Sequence, residues 1–314
     1  MAAPAERLTL VASERRRGAR AAIGRAWRAA SHDPFAIAGM TIYLVFVLVA
    51  LFADRLATHD PLVILFLPNG RVAKNMEPDL TYLLGTTNLG RDIFSQTVWG
   101  ARSALVVGLS AAVVVVAVGT LVGLVAGYFG GRIDALLMRV ADVALALPFL
   151  PFIIVLTAFL RPAVSNVVIA VGVLLWANTA RVVRSQVLTV RERAYVEAAR
   201  VTAASDLRII FVHVAPNVLP ISFLYGSIVI GWAIFAEASV SFLGFGPTDT
   251  VSWGYMLQDA FVSQALSRGS WYWFVPPGVC IMLVVAAAGA VADLQIVDGE
   301  DAHQSLSFGK SSSS

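Results

Sequence analysis

SALVVGLSAAVVVVAVGTLVGLVAGYFGG, residues Ser103–Gly131, runs for 29 positions without a charged side chain. A helix that crosses the hydrocarbon core of a bilayer needs about 20 mostly apolar residues, so this stretch reads as a membrane span with a glycine-rich exit. Working outward, Phe35–Ala53 is a second such run, and Val143–Leu160, Pro162–Ala180, Val214–Ala236 and Gly269–Ala292 follow; the fifth keeps its apolar character past Glu237 to Phe242. The expectation is an all-α polytopic membrane protein with six transmembrane helices. Composition points the same way. Of 314 residues, 58% are hydrophobic and 14% charged, against about 25% charged in an ordinary soluble domain. A soluble globule needs more polar surface than this chain has, and disorder, coiled-coil, collagen-like and disulfide-rich classes are excluded with it.

Six spans put both termini on one side. The N-terminal Arg7, Arg15, Arg16, Arg17, Arg20, Arg25 and Arg28, the pair Arg132 and Arg139, the six arginines from Arg181 to Arg208, and Lys310 then share that side. They are 16 of the 23 basic residues. The positive-inside rule makes it cytoplasmic. The net charge of +3 is thus a topology signal, and no nucleic-acid partner is expected. Residues 1–33 form a basic segment in which Arg15–Ala30 interleaves arginine with apolar residues, as suits a helix on the anionic inner leaflet or a solvated tail. The first helix, 34–54, starts late and lacks a small-residue cleavage site, so it reads as retained. Residues 55–102 form an external segment. Residues 103–293 form a five-helix core with a cytoplasmic loop at 181–213 and a second external segment at 243–268, and 294–314 are a cytoplasmic tail.

Turn signals mark the external segments: His59-Asp60-Pro61, Pro68-Asn69-Gly70, Gly85 and Gly90 in the first, Gly244, Gly246, Pro247 and Trp253 in the second, and a tight turn at Arg161-Pro162. Arg91 and Asp92 read as a fold-holding ion pair or a helix cap. Glu237 is the one acid well inside an apolar run. A charge at the bilayer centre costs about 2.5–3.5 kcal/mol on insertion scales, so Glu237 should face the bundle, a partner chain or the outer interface, in a pairing or gating role. Pro148 and Pro151 should kink the third span. Trp271, Tyr272 and Trp273 look like an interfacial aromatic belt.

Chemistry-bearing patterns are few. The lone Cys280 leaves no intrachain disulfide and no cysteine-pair zinc site. His32, His59, His213 and His303 form no spaced ligand set, and neither a P-loop nor a GxSxG elbow occurs. Neither metal nor ATP binding by this chain is expected, and it does not read as an enzyme.

The most polar stretch within the membrane-spanning part is RVVRSQVLTVRERAYVEAARVTAASDLRIIFVHVAPN, residues 181–217. Apolar residues recur at helical spacing through Val187, Val190, Tyr195, Ala198 and Ala199, then Leu207, Ile210 and Val214. Ser205 or Asp206 is placed to cap a second short helix. A mere connection needs only a few residues. An ordered, amphipathic and charged helix–turn–helix reads as a docking surface, with an interfacial helix touching only lipid as the alternative.

YVEAAR-VTAASDLRIIFVHVAPN resembles the EAA loop of ABC importer permeases, through Glu197, Ala198, Ala199, His213, Pro216 and Asn217. LLGTTNLGRDIFSQTVWGARSAL (Leu83–Leu105), with Gly85, Gly90, Arg91 and Asp92, resembles a segment of dipeptide and oligopeptide importer permeases of the C type. SFLGFGPTDTVSWGYML (Ser241–Leu257), with Trp253, and GYFGGRIDALLMRVAD (Gly127–Asp142), a loop after the second span, are similar to further segments of that peptide/nickel group. The resemblance implies the type I importer permease fold, a second homologous permease chain, two cytoplasmic ATPase subunits that hold the ATP and Mg, and an external binding protein that delivers substrate. The EAA loop would be the coupling helix, with Glu197 at the ATPase surface. Peptides are the implied cargo, with nickel chelates, glutathione or another small solute as alternatives. The family's turn glycine falls here on Ala203, so either the turn uses ordinary backbone angles or the break shifts toward Ser205. The ending LQIVDGEDAHQ also departs from the family pattern.

A stand-alone channel or secondary transporter would place functional charges in several spans, whereas only Glu237 is so placed. A membrane enzyme would need convergent His, Asp, Glu or Ser at one face, which the sequence lacks.

Overall fold

The computed structural model describes residues 34–160, 163–247 and 250–311, with side chains as far as Ala292. The basic segment 1–33, the Arg161-Pro162 turn, the side chains of the atypical ending and residues 312–314 lie outside the described residues. The described chain folds as α1 (Pro34–Leu51), α2 (Ala53–Leu56), α3 (Ile93–Phe129), α4 (Gly131–Ala146), α5 (Phe149–Phe159), α6 (Val164–Val190), α7 (Ala194–Val201), α8 (Asp206–Phe242), α9 (Trp253–Val262) and α10 (Trp271–Ser311). Among the described residues β-structure is limited to the isolated bridges Phe66–Val72 and Thr86–Asp92.

α3, α6, α8 and the Trp271–Ala292 part of α10 are long and apolar enough to cross a membrane. The α4–α5 pair makes a fifth if it counts as one span, and the apolar part of α1, Ile37–Leu51, is shorter. The all-α class holds, and the boundaries shift. α3 begins at Ile93, ten residues before the apolar run, and α6 continues past Ala180 to Val190, so the first third of the expected loop is helix. Gly127–Asp142, read as a loop, is mostly helix α4. The kink expected at Pro148 is a break: α4 and α5 meet at 86°. Leu147 is extended, with φ −75° and ψ 131°, as the residue before a proline tends to be, and Pro148 has no N–H to carry the ladder on.

α3 is the axis of the bundle and packs most extensively on α6. Gly119, Gly123 and Gly127 form a stripe at intervals of four. A Cβ on each would stand 2.7 Å from the Cβ of Thr179, Val183 and Val187, respectively. In lipid, where burial of apolar surface does not drive helix pairing, such close backbone approach supplies the contact. The core has three levels: Phe46, Ile93, Trp253 and Trp273 at one end; Val115, Ile153, Val171 and Ala233 in the middle; Tyr128, Val187, Val196 and Ile210 at the other. Trp273 and Tyr272 are therefore core residues. Only Trp271 of that trio, 59% exposed, faces outward as a belt residue would.

Candidate functional site

At the end of α6, Arg191 closes the helix with its N–H on Val187 O. After two residues α7 begins. Its faces divide the Glu197-Ala198-Ala199 triplet: Val196 and Ala199 are buried in the core, while Tyr195, Glu197 and Ala198 are exposed. α7 is a half-sunk helix that presents a carboxylate and a small residue outward.

The turn after α7 corrects both readings made for Ala203. Its φ is 55°, a left-handed conformation that costs an L-residue roughly 1–2 kcal/mol. The break has not moved. Ala204 N–H bonds Ala199 O at 3.2 Å and Ala203 N–H bonds Arg200 O at 2.9 Å, the paired bonds of a Schellman ending. Ala204, one residue past the turn, packs against the core. These bonds satisfy the helix-end carbonyls and hold alanine where glycine would sit without strain.

The next helix differs from expectation too. Ser205 occupies the cap position without a side-chain cap bond. Asp206 instead accepts the hydroxyl of Tyr128 at 2.6 Å. The expected short second helix is continuous with the following span: α8 starts at Asp206 and passes through a π-helical turn, Ile209–Val214, before Pro216. A proline ring crowds the carbonyl four residues back, and the wider turn relieves that crowding. Ala215 N–H reaches Ile210 O, and the Asn217 side-chain amide donates to His213 O at 2.7 Å. His213, Pro216 and Asn217 thus shape this turn.

Tyr128, which sequence reasoning passed over, ties the loop together. Buried at the last turn of α3, it carries the Arg200 guanidinium 5.5 Å above its ring. Arg191 donates to Gly127 O at 2.8 Å. Tyr128, Arg191, Glu192, Glu197, Arg200 and Val201 line one concave surface. The available signal was an aromatic hydroxyl directly after the last glycine of the α3 stripe. Beside it, Arg184 bonds both carboxylate oxygens of Asp134 and Arg181 pairs with Asp142, fastening α4 across α6.

The remaining predicted residues sit at the other end of the bundle, since Glu237 and Asp206 lie about 46 Å apart along α8 at 1.5 Å per residue. Glu237 is buried and accepts the Ser241 hydroxyl at 2.6 Å, and Ser252 caps α9 by accepting the Tyr255 N–H. Trp253 donates to Thr97 O at 2.9 Å and lies against Gly100, while Gly254 meets the backbone of Ala238. Asp92, fully buried, caps α3 by accepting Ser95 N–H and Oγ–H, and it also accepts Thr58 Oγ–H. Gly85 and Gly90 have φ of 71° and 77°, and side chains there would strike Met76 O and Val72. Asp259 is raised above the ordinary carboxylate range by burial, against the opposing pull of the Arg91 charge. No cluster of three or more His, Cys, Asp or Glu that could hold a metal occurs among the described residues.

Residues 119–296 match the family described as binding-protein-dependent transport system inner membrane component. Residues 23–77 match the N-terminal TM domain of oligopeptide transport permease C. The chain is 34% identical over 269 residues to the dipeptide transport system permease protein DppC of Bacillus subtilis (strain 168), covering 85% of this chain and 82% of that protein. It is 34% identical over 253 residues to the oligopeptide transport system permease protein OppC of the same organism, with 80% and 81% covered. The di/tripeptide transport system permease protein DppC of Pseudomonas aeruginosa (strain UCBPP-PA14) is 34% identical over 274 residues, with 85% and 88% covered. With both of its membrane regions matched and its relatives covered over most of their length, the chain belongs to the binding-protein-dependent transport system inner membrane components.

Proposed function

We propose that this chain is the membrane-spanning permease subunit of an ATP-driven peptide importer in the bacterial inner membrane. α1, α3, the α4–α5 pair, α6, α8 and α10 serve as six spans with both termini cytoplasmic, in keeping with the excess of basic residues on the loop side. The chain pairs with a second, homologous permease. Two ATPase subunits, which hold ATP and Mg, dock at the loop, and an external binding protein delivers the cargo. The observation that carries this reading is α7 itself, which exposes Glu197 and Ala198 while its Val196 and Ala199 face is fixed in the core. A rigid, half-sunk helix moves its supporting helices as a body when pushed. The named substrates of the relatives support peptides as cargo. The external end, where Glu237 is buried and Gly254 of α9 lies against the Ala238 backbone of α8, is architectural in this reading.

The test is reconstitution with candidate ATPase subunits and a binding protein in liposomes, with uptake of labelled di- and tripeptides as readout. ATP-dependent, binding-protein-dependent accumulation is expected. Its absence, or failure of the ATPases to co-purify, overturns the reading. Topology is checked in a Cys280→Ser background by labelling Thr189→Cys from the cytoplasmic side and Phe261→Cys from outside.

A further inference from the structure

The last four carbonyls of a helix lack intrahelical partners. Irregular backbone at membrane depth persists where protein buries it or where it lines a water-filled cavity. The 86° break between α4 and α5 has a cavity in its crook. It holds about 490 Å³, walled by Leu147 and Phe149 at the break, by Asn178 and Arg181 of α6, and by Tyr225 and Trp232 of α8. At 1.5 Å per residue, Asn178 lies about 21 Å from the start of α6 and Tyr225 about 26 Å from the end of α8, which in a hydrocarbon core about 30 Å thick puts the polar wall in the half next to the α7 loop.

Its polarity is graded. Asn178, Arg181 and Tyr225 are on the side toward the α7 loop. Phe149 and Trp232 are on the far side, their rings edge to face at 5.8 Å and 82°. We propose that this cavity is the loop-side half of the solute path, that it holds the main chain of a peptide, and that the Phe149–Trp232 contact closes its far end. The proposal rests on the peptide-importer reading.

The chemistry suits groups that every peptide shares. The Asn178 amide and the Tyr225 hydroxyl both donate and accept hydrogen bonds. The Arg181 guanidinium, held at the rim by Asp142, keeps donors free for a carboxylate. The apolar walls accept side chains without selecting among them, and the volume falls within the roughly 300–1,000 Å³ of small-molecule sites. The break also supplies a hinge. α4 is fastened to α6 by Asp134–Arg184 and Asp142–Arg181, beside the loop. α5 is joined to α4 only through the extended Leu147 and Pro148. A swing of α5 about that joint carries Phe149, in its first turn, away from Trp232 on α8.

The experiment uses the complete importer in liposomes, with the chain carrying Cys280→Ser, Phe149→Cys and Trp232→Cys. A short bis-methanethiosulfonate reagent bridges the two cysteines, dithiothreitol releases them, and radiolabelled trialanine is the probe. Bridging should lower uptake at least tenfold while the ATPase subunits still co-purify, and reduction should restore it. Uptake by the bridged protein equal to that of the reduced protein overturns the gate. In the chain without cysteine replacements, Asn178→Leu should lower trialanine uptake at least fivefold, and unchanged uptake overturns the binding role of the cavity. Failure of the parent Cys280→Ser complex to accumulate any peptide sinks the import reading, and this proposal with it.

Discussion

The hydroxyl of Tyr128 donates to the carboxylate of Asp206 at 2.6 Å, across 78 positions of sequence. Tyr128 ends the helix at the centre of the bundle, and Asp206 opens the helix that follows the loop turn. Arg200, from the other side of the same turn, lies over the tyrosine ring. Both arms of the turn are therefore held by one side chain of a third element. A push on α7 reaches α3 directly as well as through the covalent neighbours α6 and α8.

Tyr128→Phe keeps the ring and its cation–π contact and deletes one hydrogen bond to a charged group, a loss of about 1.5–3 kcal/mol. The loss is local. Amide hydrogen exchange in residues 194–208 should quicken by roughly tenfold or more, while exchange in the middle of α6 stays unchanged. Unaltered exchange across the loop would show that Tyr128 does not hold it.

Ala203 stores backbone strain of roughly 1–2 kcal/mol. Ala203→Gly relieves it and loses about 0.5–1 kcal/mol through the freer unfolded chain. The expected net effect is a small rise in thermal stability with ATPase binding retained. Ala203→Pro imposes φ near −65° where the chain needs 55° and removes the N–H that bonds Arg200 O. Pull-down of ATPase subunits should fail with the proline variant, and full retention would exclude position 203 from the docking turn.

The segment between α8 and α10 makes a sharper packing demand. A Cβ on Gly254 would stand 2.4 Å from Ala238 O, and backbone has little room to yield. Gly254→Ala should cost about 1–3 kcal/mol, as overpacking does. Trp253→Phe forfeits the bond to Thr97 O for about 1 kcal/mol and also leaves a gap in the core. Thermal melts of the purified chain should show both variants destabilised, and an unchanged melt for Gly254→Ala would exclude the close approach to Ala238.

Burial raises Asp259 above its unfolded value. The folded state then binds its proton more tightly than the unfolded state does, so stability falls as pH rises from the ordinary carboxylate pKa through the raised one, and the cost is fully present above it. Asp259→Asn should flatten that part of the melting-temperature profile. An unchanged slope would exclude Asp259 as its source.

Hydropathy made four spans legible because lipid contact demands long apolar runs, and Pro148 announced a kink. It could not announce an 86° turn, which leaves α4 lying across α6, where Asp134 and Asp142 meet arginines some 40 to 50 positions away. Helix ends were also misplaced. Once α6 leaves the apolar region it continues as an arginine-bearing helix, and polarity alone reads that as loop. Ala203 shows a different limit. A motif located the turn, but only the Schellman bonds on either side explain why alanine tolerates a glycine conformation there. For Tyr128–Asp206 the glycine stripe marks the tyrosine, but nothing in the sequence joins it to an acid 78 positions further on.

Glu197 is the exposed acid on α7, in a loop where arginines otherwise dominate, and it borders the concave surface shared with Arg191, Arg200 and Tyr128. In the proposed complex its carboxylate meets a basic or hydrogen-bond-donating group of the ATPase. Such a charge-assisted contact is worth about 1.5–3 kcal/mol, a change in binding of roughly tenfold to a hundredfold. Glu197 makes no packing contribution to the buried face of α7, so its replacement should leave the chain folded and inserted. Glu197→Ala should weaken assembly or lower uptake per ATP hydrolysed. Glu197→Lys should do more, because it adds repulsion to the loss of the contact. The measurement is ATP hydrolysis stimulated by the loaded binding protein, with uptake followed in parallel. Wild-type values for both in Glu197→Lys would remove this residue from the coupling path. Lost uptake by an assembled, hydrolysing complex would place the defect in transmission rather than in folding or docking.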